Sequence, residues 1–287
     1  MKVLVTGGAG FVARHLTKEL RESGHEVFLT DVADLPGPDF LKADLMDARR
    51  VDEVVRQILP DAVMHLGAIS FVPDAAKDPG LLKRINLGGT EHLLDAVSRH
   101  VPASKFLFVS TALVLSGELS PYAAMKLAAE GVVAQFGWEG HRAVIARPAN
   151  HTGPGQSPKF VVPAFVRQAL EIRRGERELF TVGNLDSVRD FTDVRDVVRA
   201  YRMLVEAEDA KGVYSICSDC RMTIGELLAK IASQAGVPAT STVDAALWRP
   251  TDIAQLIDTT RIKSLGWRPE IPLERTISDM IGAESRP

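Results

Sequence analysis

This sequence predicts an α/β fold: a doubly wound parallel sheet with a smaller C-terminal α/β lobe. Three features predict it. Short β-rich apolar runs alternate with amphipathic stretches through the first half. The first run passes through a glycine-rich turn straight into the first amphipathic stretch. After RAVIARP the alternation gives way to a Pro- and Gly-rich loop followed by irregularly spaced helical patterns. In order, KVLVT, EVFLT, DAVMHL, KFLFVS and RAVIAR read as buried strands. Between them FVARHLTKELRESG sets Phe11, Leu16 and Leu20 at near-helical spacing and stops at Gly24, and VDEVVRQIL and INLGGTEHLLDAVSRH supply two further crossover helices. Right-handed crossovers then wind the sheet in both directions. The loop NHTGPGQSPKF opens the lobe, to which TIGELLAKIASQAG and PLERTISDMIGAE add helices. DVRDVVRAYRMLVEAE followed by GVYSIC is a helix and strand that return once to the sheet. The expected division is therefore 1–153 plus about 188–219 for the sheet domain, and about 154–187 plus 220–287 for the lobe.

Of the 287 residues 46% are hydrophobic and 25% charged, so a sizeable core is expected rather than disorder. The net charge of −3 gives no long-range attraction for nucleic acid or anionic lipid. Any phosphate site must then be a local set of donors. No apolar run approaches the ~20 residues that span a bilayer, and MKVLVTGGAG runs directly into a strand pattern. The cytoplasm is the expected location. Cys217 and Cys220 form a lone CxxC with no second pair to complete a metal tetrad, so no metal is expected.

The turn after the first strand is Gly7-Gly8-Ala9-Gly10-Phe11-Val12-Ala13, a GxxGxxA loop opening a helix. Gly7 and Gly10 permit a tight turn and close backbone approach to a pyrophosphate, whose charge the helix N-terminus stabilises. Asp31, 21 residues after Gly10 at the end of the second strand, suits an adenosine ribose and repels a 2′-phosphate. NAD(H) is thus favoured, with NADP(H) possible. The alternative for Asp31 is a carboxylate that caps a turn. Further on, Ser120-Pro121 reads as an N-cap and first helical residue, placing Tyr122 and Lys126 four apart on one helix face. The Lys126 charge, the positive helix end and an oxidised nicotinamide would each favour the phenolate and lower the pKa of Tyr122. Ser110 and Thr111 stand at the C-terminal edge of KFLFVS, where open α/β sheets bind ligands. Thr111 is either a partner to a substrate oxygen or a hydroxyl that caps its own loop.

Taken together, the GxxGxxA loop, Asp44-Leu45, His65-Leu66-Gly67-Ala68, Asn86, Thr111, YxxxK and Arg147-Pro148 resemble, in that order, the extended short-chain dehydrogenase/reductase family of nucleotide-sugar enzymes. Within it, NHTGPGQS, FVVPAF, VGNLDSVRDFTDVRDVVRAY and RPTDIAQLIDTTRIKSLGWRP are most similar to the GDP-4-keto-6-deoxy-mannose reductases. The resemblance implies a Rossmann fold and a catalytic set of Thr111, Tyr122 and Lys126. It implies cofactor contacts from Gly7, Gly10, Phe11, Val12, Asp31, Asp44, Leu45, Leu66, Gly67, Ala68, Asn86, Ser110, Tyr122, Lys126 and Arg147. Asn150, Val161, Val162, Arg189 and Arg249 are implied to contact a GDP-linked nucleoside-diphosphate sugar, the arginines suiting its diphosphate. Surface salt bridges are the alternative for both arginines, and His151 reads as a loop hydrogen-bonder. A homodimer built on helices that include Lys126 to Phe136 is likewise implied. Only ten residues separate Thr111 from Tyr122, fewer than relatives have, and Val114-Leu115-Ser116 replaces the usual VYG. Ala112 and Leu113 stand where sugar dehydratases carry Asp-Glu, which disfavours dehydration. Reduction of a 4-keto sugar is the leading expectation, a 4-epimerase with retained NAD the alternative, and a non-catalytic dinucleotide sensor a third.

Overall fold

The computed structural model describes residues 1–71, 78–117, 119–248 and 257–285. The chain begins β1 (Lys2–Thr6), α1 (Phe11–Glu22), β2 (Glu26–Asp31), β3 (Phe40–Lys42), α2 (Ala48–Ile58) and β4 (Ala62–His65). It continues with α3 (Pro79–Lys83), a π turn (Arg84–Gly88), α4 (Gly89–His100), β5 (Lys105–Val109), a 3-10 turn (Ala112–Leu115), α5 (Pro121–Trp138) and β6 (Arg142–Pro148). Then come β7 (Asn150–Thr152), α6 (Val161–Arg173), β8 (Phe180–Val182), β9 (Val188–Asp193), α7 (Val194–Glu206) and β10 (Gly212–Ile216). The chain ends with β11 (Arg221–Thr223), α8 (Ile224–Ala235), β12 (Ser241–Val243), α9 (Thr260–Ser264) and α10 (Leu273–Glu284).

Seven strands form one sheet in the order β10-β6-β5-β4-β1-β2-β3, every pair parallel. The chain steps outward from β1 to β3, then restarts beside β1 at β4 and runs the other way. This is the doubly wound Rossmann topology, and its switch point lies between β1 and β4. Such strands are covered on both faces, which is why Val3, Leu4, Val5, Val63, Phe106 and Phe108 are all buried. Local chemistry sets the helix limits. Asp47 caps α2 by accepting from Arg50 N (3.0 Å), and Thr223 and Glu226 form a reciprocal capping box on α8, which Gly236 ends at φ +71°.

Two compact units result. The first comprises Met1–Pro148, Val198–Ile216 and Asp258–Trp267; the second comprises Ala149–Val197, Cys217–Ile257 and Arg268–Pro287. Where the sequence returns 188–219 to the sheet domain, the structure returns Val198–Ile216 alone and adds the segment around α9. The reason is local: Val188–Asp193 pairs with β7 and β11, whereas Arg261 of α9 donates to Val213 O (2.6 Å) and Lys211 O (2.8 Å) beside β10. The second unit has its own three-stranded sheet, β11-β9-β7, a two-stranded pair, β12-β8, and a core that includes Val162, Phe165, Phe180, Leu228 and Ile277. No described helix is long and apolar enough to cross a membrane.

Candidate active site

The turn from β1 to α1 is closed by Gly10 N donating to Gly7 O (2.9 Å). Gly7 has φ +71°, and a Cβ there would lie 2.9 Å from the Gly67 backbone, so the turn is clamped against the end of β4. Gly10 sits at the N-cap of α1 without a side-chain cap, and the first helical turn carries no acid. Phe11 and Val12 form that turn. Its exposed backbone donors and positive helix end are a donor set for an anion, which fits the pyrophosphate of a dinucleotide. Asp31 lies at the end of β2, and its carboxylate accepts from Ala9 N (3.0 Å) and Ala33 N (3.0 Å). The carboxylate thus caps the turn and also stands where a ribose is expected, since each oxygen retains a further lone pair. One neighbour is missed by sequence reading. Lys42 pairs in register with Asp31 across β2 and β3, and its ammonium meets Asp34 at 2.8 Å.

On the other side of the switch point, His65 is buried at the end of β4. Thr90 Oγ1 gives its single hydrogen to Asn86 O (2.8 Å), so it accepts from His65 Nε2 (3.0 Å). In the neutral ring Nδ1 then accepts from Thr6 Oγ1 (2.7 Å), which itself accepts from Gly67 N (3.0 Å). The imidazole is neutral, and burial, with Lys126 as a minor contributor, pushes its pKa down to about 3. This chain of bonds fixes Leu66, Gly67 and Ala68. Asn86, in the π turn, grips Ile69 by accepting from its N–H (2.8 Å) and donating to its carbonyl (3.0 Å). Asp44 accepts from Met46 N (2.9 Å), and Leu45 packs where a Cβ on Gly67 or Gly89 would otherwise sit.

The candidate catalytic residues come from the end of β5 and the first turns of α5. Ser120 caps α5 by accepting from Ala123 N (3.2 Å), Pro121 opens it, and Tyr122 is buried beside Leu82, Ile69 and Met125. Thr111 Oγ1 accepts from Leu113 N (3.2 Å), so the hydroxyl does cap its loop while its hydrogen can still be donated. Lys126, 3% exposed, donates from Nζ to Val109 O (2.7 Å) and lies 4.8 Å from the Phe108 ring centroid. One turn later Glu130, also buried, accepts from Ser110 Oγ and from Arg147 Nε (2.9 Å) and Nη2. Val109, Ser110 and Thr111 are therefore bonded or adjacent to the helix that carries Tyr122. The expected lowering of the Tyr122 pKa is not what the structure shows: burial pushes it up to about 12. Burial also brings Lys126 down to about 8, opposed by the Glu130 charge. Arg147 is bound to Glu130 in an ion pair. Sequence reading overlooks Glu130, although Lys126 and Glu130 are the sole charged residues of this 18-residue helix.

In the second unit, Asn150 is exposed at the start of β7, and His151 Nδ1 is hydrogen-bonded to Ala149 O (3.0 Å), with burial lowering its pKa. The Val162 side chain belongs to the core and Val161 is half-buried, so a ligand at this segment would meet the uncapped N-terminus of α6 more than side chains. Arg189 Nη1 donates to Val188 O (2.8 Å). Arg249 lies outside the described residues. Cys217 is buried and Cys220 exposed, with no disulfide between them. Burial, followed by the Asp190 charge, pushes the Cys217 thiol up to about 12, which argues against a reactive thiolate. Among the described residues no cluster of three metal-ligating side chains occurs.

The profile of the NAD dependent epimerase/dehydratase family matches residues 3–217. GDP-6-deoxy-D-mannose reductase of Pseudomonas aeruginosa is 36% identical over 300 aligned residues, covering 96% of this chain and 94% of the relative. Among solved structures, that of RMD from Pseudomonas aeruginosa complexed with NADPH matches with a TM-score of 0.86 at 33% identity and covers 99% of both chains. The NAD complex of Thermus thermophilus UDP-glucose 4-epimerase matches with a TM-score of 0.87 at 28% identity, covering 99% of this chain and 98% of the other. With that profile matched over residues 3–217 and the reductase 36% identical over nearly the whole chain, the chain belongs to the NAD dependent epimerase/dehydratase family.

Proposed function

We propose that this protein is a nucleotide-sugar oxidoreductase that reduces the 4-keto group of a nucleoside-diphosphate sugar, converting GDP-4-keto-6-deoxy-D-mannose to GDP-D-rhamnose. The observation that carries the reading is the seam between β5 and α5, where Lys126 and Glu130 bond the strand end that bears Thr111. The likeness to GDP-6-deoxy-D-mannose reductase over nearly the whole chain supports the sugar. Gly7, Gly10, Phe11 and Val12 would hold the dinucleotide pyrophosphate, Asp31 its adenosine ribose, and Asp44, Leu45 and Leu66 the neighbouring ribose and adenine. When bound, the reduced nicotinamide supplies a hydride to the carbonyl carbon. Tyr122, a neutral phenol at physiological pH, donates its proton to the carbonyl oxygen and is later reprotonated from solvent. Thr111 donates a hydrogen bond to the same oxygen as negative charge develops. Lys126 would hold the nicotinamide ribose and, as a cation one turn along the helix, favour the phenolate left by the transfer. Asn150, the Val161–Val162 segment, Arg189 and Arg249 are assigned to the nucleotide sugar.

NADH is favoured through Asp31. NADPH is also expected to serve, a reading supported by the similarity to RMD from Pseudomonas aeruginosa complexed with NADPH. A cytoplasmic homodimer is the expected working form, which light scattering after size exclusion tests. Mixing the protein with the keto sugar and NADH or NADPH should bleach absorbance at 340 nm in proportion to sugar added. Absence of consumption with both dinucleotides overturns the reductase. Interconversion of UDP-glucose and UDP-galactose on a retained NAD would establish the epimerase instead.

A further inference from the structure

We propose that Glu130 is a positioning residue of the proton-transfer site: its buried carboxylate, clamped by Arg147 and Ser110, keeps the Lys126 ammonium charged and in place behind Tyr122. The inference rests on the reading of Tyr122 and Lys126 as the proton-exchanging pair. It names what sustains that pair.

An ammonium fully removed from water tends to lose its proton unless an anion compensates. The direct acceptor of Lys126 is a neutral carbonyl, Val109 O, and its other close neighbour is the Phe108 ring. Of the titratable groups around it, His65 on β4 is neutral and Tyr122 on its own helix is a neutral phenol. Arg147 on β6 is a cation. Glu130 is thus the anion set against Lys126 among the described residues, and it is the group that opposes the effect of burial there. The spacing of four residues stacks the two side chains along one helix face.

Glu130 is itself 4% exposed, and a carboxylate so removed from water needs donors to replace its hydration. The two bonds from the Arg147 guanidinium, with the third from Ser110, supply those donors. Arg147 therefore acts on Lys126 through Glu130, although by sign alone the two cations repel. Ser110 adds a geometric role. Its bond to Glu130, beside the bond from Lys126 to Val109, holds the strand end next to Thr111 at a fixed register against the Tyr122 helix.

The experiment is 13C NMR of the full chain labelled at the lysine Cε, with the Lys126 signal assigned by its loss in Lys126→Met. Wild type should titrate near pH 8 at this position. Glu130→Gln should bring the midpoint down by about one pH unit or more, a tenfold or greater loss of proton affinity. Glu130→Asp, which restores the charge, should recover most of it. In the same Glu130→Gln protein kcat should fall with KM for the sugar unchanged, and the alkaline limb of the rate profile should move down with the lysine. Should Glu130→Gln fail to fold, Glu130→Gln with Arg147→Met removes the stranded cation, and a lowered midpoint is still expected. An unchanged Lys126 midpoint in a folded Glu130→Gln or double variant overturns the proposal, as does an equal fall in Glu130→Asp. If wild type shows no turnover of the keto sugar, the functional reading fails while the titration still decides this one.

Discussion

Asp193 in the second unit and Lys126 in the first are both buried polar side chains, and they are treated differently. Asp193 accepts from Arg195 N (2.8 Å), Arg195 Nε (2.9 Å), Arg195 Nη2 (2.7 Å) and Thr276 Oγ1 (2.6 Å), so both of its oxygens are satisfied by charge-matched or strong donors. Nearby, Asp196 takes the N–H groups of Glu270 (2.9 Å) and Ile271 (2.9 Å). These bonds tie β9, α7 and α10 together, which is a structural task. Lys126 instead has a neutral acceptor, a ring and one compensating anion a turn away, and burial moves its pKa to about 8. Tyr122, beside it in sequence by one helical turn, is moved the opposite way, to about 12. Burial with complete pairing makes a strut, whereas burial with incomplete pairing makes a group that can exchange a proton.

The sharpest break of this contrast is Tyr122→Phe. Turnover should fall by about a hundredfold or more, as for a lost general acid, while fluorescence titration shows dinucleotide binding retained. Equal loss of both would make Tyr122 a packing residue. Next in size, Asp193→Ala should cost about 2 kcal/mol in urea unfolding, because it removes the bonds that Arg195 and the buried Thr276 hydroxyl make to the carboxylate. Turnover per folded molecule should stay at the wild-type level. A large loss of turnover in folded protein would mean that the second unit's network serves chemistry after all. The smallest effect is a pH dependence. Between about 8 and 10.5 the unfolded chain holds the Lys126 proton that the folded chain has released. Raising pH through that window therefore stabilises wild type relative to Lys126→Met, by about 1.4 kcal/mol per pH unit. A gap between the two proteins that stays flat from pH 8 to 10 would show that Lys126 is not perturbed by burial.

The features legible in the sequence were those that repeat a local rule. GxxGxxA after an apolar run, Asp31 at the next strand end, and Ser120-Pro121 before Tyr122 each need only neighbours along the chain, and the structure places each of them at the edge where the strands end. β3 escapes because three residues on a sheet edge carry no usable alternation. The segment read as one helix from Ile85 is broken by a π turn that the Asn86–Ile69 clasp accompanies, a contact across 17 residues. Glu130 has no local signature of purpose: its partners Ser110 and Arg147 arrive from two other strands. The pKa of Tyr122 was misjudged for a related reason, since charge can be counted from sequence but burial depends on Leu82 and Ile69 packing over the ring. The unit boundaries shift because β9 and α9 choose partners that lie far away along the chain.

The imidazole wedged between Thr6 and Thr90 has a consequence for the whole fold. Its proton affinity is suppressed from 6.5 to about 3, so the native chain refuses a proton that the denatured chain accepts. Native stability supplied by this residue is complete above pH 6.5 and drains as acidity increases toward pH 3, at about 1.4 kcal/mol per pH unit. A single side chain that never leaves its neutral form thus makes the scaffold acid-labile. It also keeps the loop it anchors indifferent to ordinary swings around neutrality.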